Sequence, residues 1–307
     1  MSTLYLNSGK QDILTKKDYL LSAANSLGLK NVRPIEEVAQ SPNPPEYVLN
    51  IQPYAKIYRP GTKWTGVWEI DCLINREQMQ WWWNQTDTVF LANRVDWLEK
   101  VPKKVRYLMQ GCLPELYNFE VNQKYDFVQI GTMTDPAYFK DYKLPSSVEK
   151  RQIDKFDIYK TRFDIFEKLK AKYNVLVYDK PERLPVKEYL EILSRGKIQF
   201  IRSMDVMGEG EIAQRFFESL PMGPVLTNYA QDLDWLNLIP NGDYCIYHDD
   251  EEMFQKIDEL LGDDALRSDI AKHGREKAFK EQTYGIRLNE ILDFLTAHFQ
   301  FREDKND

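Results

Sequence analysis

The feature that most constrains this chain is an alternation, met twice along its length, of short apolar runs with helical or loop segments. In the first half Leu4–Asn7, Tyr47–Ile51, Trp64–Ile70, Thr88–Ala92 and Val105–Met109 read as strands. Asn7–Lys10 reads as an exit turn, Lys16–Leu27 as a helix and the Pro-rich stretch Ser41–Pro45 as a loop. Strands separated by helices or long connections pair in parallel, because a tight hairpin can join only antiparallel neighbours.

A second cycle follows Pro114–Lys124, the best linker candidate. Tyr125–Ile130 is a strand that ends at Gly131, and Lys155–Lys172 is a helix. Val175–Tyr178 is a strand, followed by a helix over Val186–Leu193 whose Val186, Tyr189, Leu190 and Leu193 share a face. Ile198–Ile201, Val225–Thr227 and Tyr244–Tyr247 are strands, Ile212–Leu220 and Glu251–Leu261 helices, and the rest to about Phe301 is helical. With 307 residues each half can bury its own core. The expectation is an α/β fold of two Rossmann-like lobes with a cleft at the carboxyl ends of their sheets. The divisions are drawn at 1–122, 123–284 and a C-terminal helix and tail over 285–307.

Several function classes are disfavoured. No apolar run reaches the roughly 18–20 residues of a membrane span, and Met1–Lys10 has no basic-then-apolar signal pattern. Three widely spaced cysteines, Cys72, Cys112 and Cys245, suit free thiols in a reducing compartment, so a cytoplasmic protein is expected. The three histidines, His248, His273 and His298, form no ligand-spaced set with them, and no metal site is expected. A net charge of −7 argues against a general nucleic-acid binder. The charge is uneven, however: residues 1–122 carry 14 basic against 13 acidic side chains, the remainder 27 against 35. Lys100, Lys103, Lys104 and Arg106 cluster in the first half. They read either as a solvated surface or as a patch for a polyanionic acceptor, a modified DNA base being the minority option.

Ile198–Tyr229 carries the most chemical information. A strand leads into Gly208-Glu209-Gly210, then a helix whose N-terminus near Glu211 would offer free N–H groups to a diphosphate. Glu211, Arg215 and Glu218 would form a polar stripe, with Ile212, Phe216 and Leu220 as the buried one. Glu211 and Arg215 also fit an ordinary i,i+4 ion pair. Thr227-Asn228-Tyr229 is a polar strand exit that would converge on the same crevice.

Arg215-Phe216-Phe217-Glu218-Ser219-Leu220-Pro221-Met222-Gly223-Pro224-Val225-Leu226-Thr227-Asn228 closely resembles the donor-lobe motif of group 1 glycosyltransferases of the GT-B fold, especially the spore-maturation-protein-like branch. Asp232-Leu233, Pro240-Asn241-Gly242, Tyr247, Asp250–Met253, Ala271–Lys277 and Thr283–Leu288 extend the resemblance over roughly 198–295. Trp68-Glu69-Ile70-Asp71, Asp87–Ala92, Val105–Leu108 and Tyr125–Gly131 add thinner matches upstream. The resemblance implies a nucleotide-sugar co-substrate, no cofactor, an acceptor-side first lobe and a donor-binding second lobe. It gives Glu218 the ribose hydroxyls, Arg215, Arg202 and Arg162 the diphosphate, and Gly131 a close approach to the donor. The family's first glutamate falls at Gly210, flanked by Glu209 and Glu211, so retention or inversion stays open.

An inverting reaction needs a base for the acceptor hydroxyl. Asp71 at a strand end comes first and Glu69 second, with turn capping as the structural alternative for Asp71. Thr227, Asn228 and Tyr247 complete the donor-side candidates. His248 reads as a surface or nucleotide-adjacent residue, and Trp81-Trp82-Trp83 as lobe packing or an acceptor platform. Two rival readings are a nucleotide-sugar epimerase and a non-catalytic nucleotide-sugar or glycan-binding protein.

Overall fold

The computed structural model describes residues 2–8, 16–40, 45–51, 62–69, 85–92, 105–130, 163–178, 184–202, 204–206, 209–229 and 231–301. The chain divides into two compact units, Met1–Pro114 with Glu281–Asp307, and Glu115–Lys280.

In the first unit β1 (Leu4–Ser8), β2 (Val32–Pro34), β3 (Tyr47–Ile51), β4 (Trp64–Glu69), β5 (Thr88–Leu91) and β6 (Val105–Tyr107) form a sheet in the order β2-β1-β3-β4-β5-β6. Every pairing is parallel. The central strands are near-continuous apolar runs because a parallel sheet is covered on both faces, and all five residues of β3 are buried. Polar atoms inside are paired. Asn50 Nδ2 donates to Gly66 O at 3.1 Å, and the Trp64 indole to Thr88 Oγ1 at 3.1 Å. The short edge strand β2 is not visible in the sequence pattern. It has three residues and ends in a proline, which only an edge tolerates.

Helix α1 (Lys16–Ser26) buries Tyr19, Leu20, Ala23 and Ala24. The last helix of the chain, Tyr284–Phe299, starts on Thr283, whose side chain accepts from Ile286 N. It buries Tyr284, Leu288, Ile291, Leu292 and Leu295 within the first unit. Tyr284 packs on Tyr19 at 4.9 Å, Phe294 on Phe90 at 5.6 Å, and Phe299 O accepts from the Tyr47 hydroxyl at 2.8 Å.

In the second unit β7 (Phe127–Ile130) pairs with β8 (Val175–Tyr178), and β9 (Gln199–Ile201) pairs with β12 (Val225–Asn228), which pairs with β13 (Cys245–Tyr247), all parallel. Lys197 N donates to Tyr125 O at 2.8 Å and Ile198 N to Asp126 O at 3.1 Å, a parallel bridge that sets the start of β9 beside the start of β7 although the two strands belong to separate sheets. The succession is therefore β8-β7-β9-β12-β13. Helix α2 (residues 163–172) and α3 (Val186–Leu193) follow β7 and β8 in sequence, and α4 (Gln214–Ser219) precedes β12. After β13 come α5 (Asp250–Gly262) and α6 (Asp264–Glu281), and the helix Tyr284–Phe299 is α7. Phe127, Phe166, Phe200, Leu226, Tyr247 and Ile257 belong to one core, with Phe200 edge-on to Phe127 and Phe166 and stacked on Tyr247. Among the described residues no helix is long and apolar enough to cross a membrane.

One expectation is corrected. The helix expected from Ile212, with its N-terminus near Glu211, starts at Gln214 after Ala213. Glu209–Glu211 is strand β11, paired antiparallel with β10 (Met204–Val206). That antiparallel pairing takes Glu211 out of the helix. Glu211 thus shares no helical stripe with Arg215 and Glu218, and the six-residue α4 offers no N-terminus at Glu211. The stretch Pro114–Lys124, expected as the linker, begins where the two units divide. Tyr117 is buried, its hydroxyl donates to Glu218 O at 2.9 Å, and its ring meets Phe279 at 5.7 Å.

Gly274 in α6 lies where a Cβ would stand 2.5 Å from the Asp243 carbonyl oxygen, a backbone atom with no rotamer to escape into. Gly274→Ala is expected to destabilise the second unit by about 1–3 kcal/mol, read as a lower midpoint in a thermal melt. A second expectation concerns alkali. Burial pushes Tyr244 and Tyr247 up to about 12 and the Cys245 thiol up to about 11. The folded state holds these protons more tightly than the unfolded chain. That stabilisation is complete below their ordinary values and is lost as pH rises through the raised ones. The melting temperature should hold below about pH 9 and fall steeply by about pH 12. A flat profile over that window would contradict the burial of these groups.

Candidate functional site

The strand succession reverses direction between β7 and β9, because β8 lies on one flank of β7 and β9 on the other. In an open parallel sheet such a reversal leaves a crevice at the carboxyl ends of the two strands, where ligands bind. A pocket of about 300 Å³ occupies that place. Its walls include Gln129 from β7, Ile201 and Arg202 at the end of β9, Tyr189 from α3, and Gln214, Arg215 and Glu218 from α4.

Helix α4 is amphipathic in a way that aims its charges. Phe216 and Phe217 are buried, and Phe216 also meets Tyr244 edge-on at 5.6 Å. With those rings inward, Arg215 and Glu218, three residues apart on one face, turn to the pocket. Glu218 is 8% exposed. Arg215 Nη2 donates to Ile130 O at 2.6 Å and its Nε to the Tyr189 hydroxyl at 3.1 Å, with the guanidinium 5.9 Å from the Tyr189 ring centre. The Tyr189 hydroxyl in turn donates to Glu218 Oε2 at 3.4 Å. Burial raises Tyr189 to about 12, Arg215 opposing and Glu218 adding, so this hydroxyl keeps its proton through the neutral range. Burial would lower Arg215, but Tyr189 and Glu218 outweigh it and the guanidinium is held charged.

The structure brings together Arg202, Arg215 and Glu218 from the residues singled out in the sequence. Thr227 and Asn228 lie at the carboxyl end of β12, and Asn228 pairs with Tyr247 across to β13. The Tyr247 hydroxyl is buried. Arg202 is the cation that opposes its burial, close enough to act electrostatically. Glu209, Gly210 and Glu211 are placed by their backbone alone, in the hairpin strand β11. Glu69 is placed by its backbone at the end of β4, opposite Leu91. Asp71, Gly131, Arg162, the Trp81–Trp83 run and Lys100–Lys104 lie outside the described residues. His248 is exposed, with Nδ1 2.8 Å from Glu252 Oε2 and its ring stacked on Tyr229. Sequence reasoning missed Tyr189, Gln129 and Gln214 as pocket residues. Tyr189 falls on the apolar stripe of α3, and nothing local distinguishes a tyrosine whose ring packs while its hydroxyl faces a ligand site.

Residues 149–293 match the family model described as glycosyl transferase-like, a little under half of the chain. No curated protein matches the sequence. Among solved structures, HepE of Anabaena in complex with UDP and glucose is similar over 97% of this chain and 100% of its own, at 12% identity and a TM-score of 0.57. A glycosyltransferase from Rickettsia africae is similar over 96% of this chain and 98% of its own, at 12% identity and a TM-score of 0.57. T4 phage BGT in complex with its UDP-glucose substrate covers 97% and 100%, at 11% identity and a TM-score of 0.51. Likeness at this identity establishes the architecture, an α/β fold with parallel sheets of the GT-B type. The family match runs through most of the second unit and into α7.

Proposed function

We propose that this chain transfers a sugar from a nucleotide-sugar donor to an acceptor hydroxyl without a metal ion, as a member of the spore-maturation-protein-like branch. The observation that carries the reading is the Glu218 carboxylate, buried against Tyr189 at the mouth of a strand-order reversal, with the Arg202 side chain on the same pocket wall. A carboxylate has acceptor capacity for both hydroxyls of a ribose at once. Arg202 is the cation for the diphosphate, joined by Arg162, and Gly131 lets the chain pass close to it. Arg215, with two nitrogens committed to Ile130 and Tyr189, supports Glu218 and the β7 terminus. Thr227, Asn228, Tyr247 and the Glu209–Glu211 strand border the rest of the donor. UDP, present in the Anabaena complex, and UDP-glucose, present in the T4 phage one, make UDP the first nucleotide to try.

In the reaction the acceptor oxygen bonds to the anomeric carbon while the bond from that carbon to the phosphate oxygen breaks. The nucleoside diphosphate leaves with the electron pair, and fixed cations stabilise its growing charge. The acceptor proton passes to a base, for which Asp71 is the first choice and Glu69 the second. Incubation with a panel of nucleotide sugars is expected to show slow donor hydrolysis and a raised melting temperature, both undiminished by EDTA. No turnover and no thermal shift with any donor would remove the transferase reading, and strict metal dependence would remove its metal-free form.

A further inference from the structure

We infer that Tyr189 is a positioning residue that orients the Glu218 carboxylate toward a ribose diol, and so sets the preference of this pocket for ribonucleotides over 2′-deoxyribonucleotides. The inference rests on the proposed nucleotide-binding role of the pocket. Its basis is the direction of two hydrogen bonds. An arginine has no acceptor and stays protonated, so the Arg215 Nε–H can only donate, and the Tyr189 oxygen at 3.1 Å must accept. The hydroxyl has one proton, and it points to the other polar atom in reach, Glu218 Oε2 at 3.4 Å. The relay therefore runs one way, from guanidinium through phenol to carboxylate.

Two tyrosines bear on Glu218. Tyr117 holds its main chain, by a 2.9 Å bond to the carbonyl oxygen, and Tyr189 holds its side chain. Tyr189 also stands between opposite charges three residues apart on one helix. The attraction between Arg215 and Glu218 contributes to keeping the guanidinium charged. With the phenol oxygen gone, Arg215 Nε loses its acceptor, and Glu218 is a carboxylate that already attracts the guanidinium. The carboxylate then swings toward the guanidinium and away from the pocket, and the ribose hydroxyls lose their acceptor. The relay bond is long, as expected for a contact that tightens when a ligand engages the same carboxylate.

The test compares UDP with 2′-deoxy-UDP, and the ADP and GDP pairs likewise, by calorimetric titration of the wild type, Tyr189→Phe, Tyr117→Phe and Glu218→Gln. The wild type is expected to prefer the ribonucleotide at least about tenfold, the worth of one good hydrogen bond to a charged group. Tyr189→Phe should weaken ribonucleotide binding about tenfold and leave the deoxy form nearly unchanged, so that the preference disappears. Donor KM should rise with kcat little altered. Tyr117→Phe, which removes another buried phenol from Glu218, should keep the preference. In a Glu218→Gln background Tyr189→Phe should have no further effect on the ratio, a non-additivity that a general loss of stability would not produce. A folded Tyr189→Phe protein with an undiminished ribose preference would overturn the role of Tyr189. A wild type that binds none of these nucleotides would instead overturn the proposed function.

Discussion

Glu218→Ala is expected to leave the protein folded and to weaken nucleoside diphosphate binding by at least about a hundredfold. Hydrogen bonds to a charged group contribute about 1.5–3 kcal/mol each. Losing two of them is about 3–6 kcal/mol, and every 1.4 kcal/mol is a factor of about ten. The fold survives because the main chain at this position is held from elsewhere. Tyr117 bonds the Glu218 carbonyl, which alanine retains, and Phe216 and Phe217 remain buried on the inner face of α4. Calorimetry with UDP and a thermal melt check the two halves of the expectation. An affinity within a few fold of the wild type would remove Glu218 from the ribose, and a collapsed melt would show that its role is structural.

Arg215→Met should act differently, lowering stability and binding together. The wild-type guanidinium supplies a 2.6 Å bond to Ile130 O at the end of β7, 85 residues earlier in the chain, and a 3.1 Å bond to Tyr189. Methionine fills much of the volume but leaves the Ile130 carbonyl without that donor and Glu218 without its nearby cation. The Ile130 carbonyl keeps only the longer 3.4 Å bond from Gln129 Nε2, and weakening the partners of buried acceptors costs about 1–3 kcal/mol, more for a charged one, so a loss of about 3 kcal/mol is expected. In a unit of this size that is a fall of about 6–12 °C in melting temperature. Arg215→Lys should recover little, because a single ammonium cannot reach two partners set at the angles of a guanidinium fork. A full recovery by lysine would mean that charge alone, not the fork, holds the site.

Much of the architecture was legible along the chain. The apolar runs at Tyr47–Ile51, Thr88–Leu91 and Val225–Asn228 are strands because their residues are buried on both faces, which is the pattern a parallel sheet imposes. Glu218 was legible too. It stands three residues from Arg215 and just before a Leu-Pro-Met-Gly turn, so helical period alone sets both on one face opposite Phe216. Two features misled. The Gly208-Glu209-Gly210 stretch suggested a phosphate loop opening a helix, whereas Glu209–Glu211 is a strand paired antiparallel with Met204–Val206. Tyr189 read as core, since a 3.6-residue period reports which face is covered and is blind to what the far end of a long side chain touches.

What the sequence determined by itself was therefore the repeated α/β plan and the two charges of α4, both consequences of short-range periodicity. The tertiary structure alone decided the partners of those charges. Arg215 meets Ile130 only because the segments entering β7 and β9 run side by side, and Tyr189 reaches both Arg215 and Glu218 only because α3 packs on β7. Such contacts join residues distant in sequence, and their geometry follows from how the elements pack, which no local pattern records. The same holds for the final helix, whose Tyr284, Phe294 and Phe299 complete the core of the first unit at the far end of the chain.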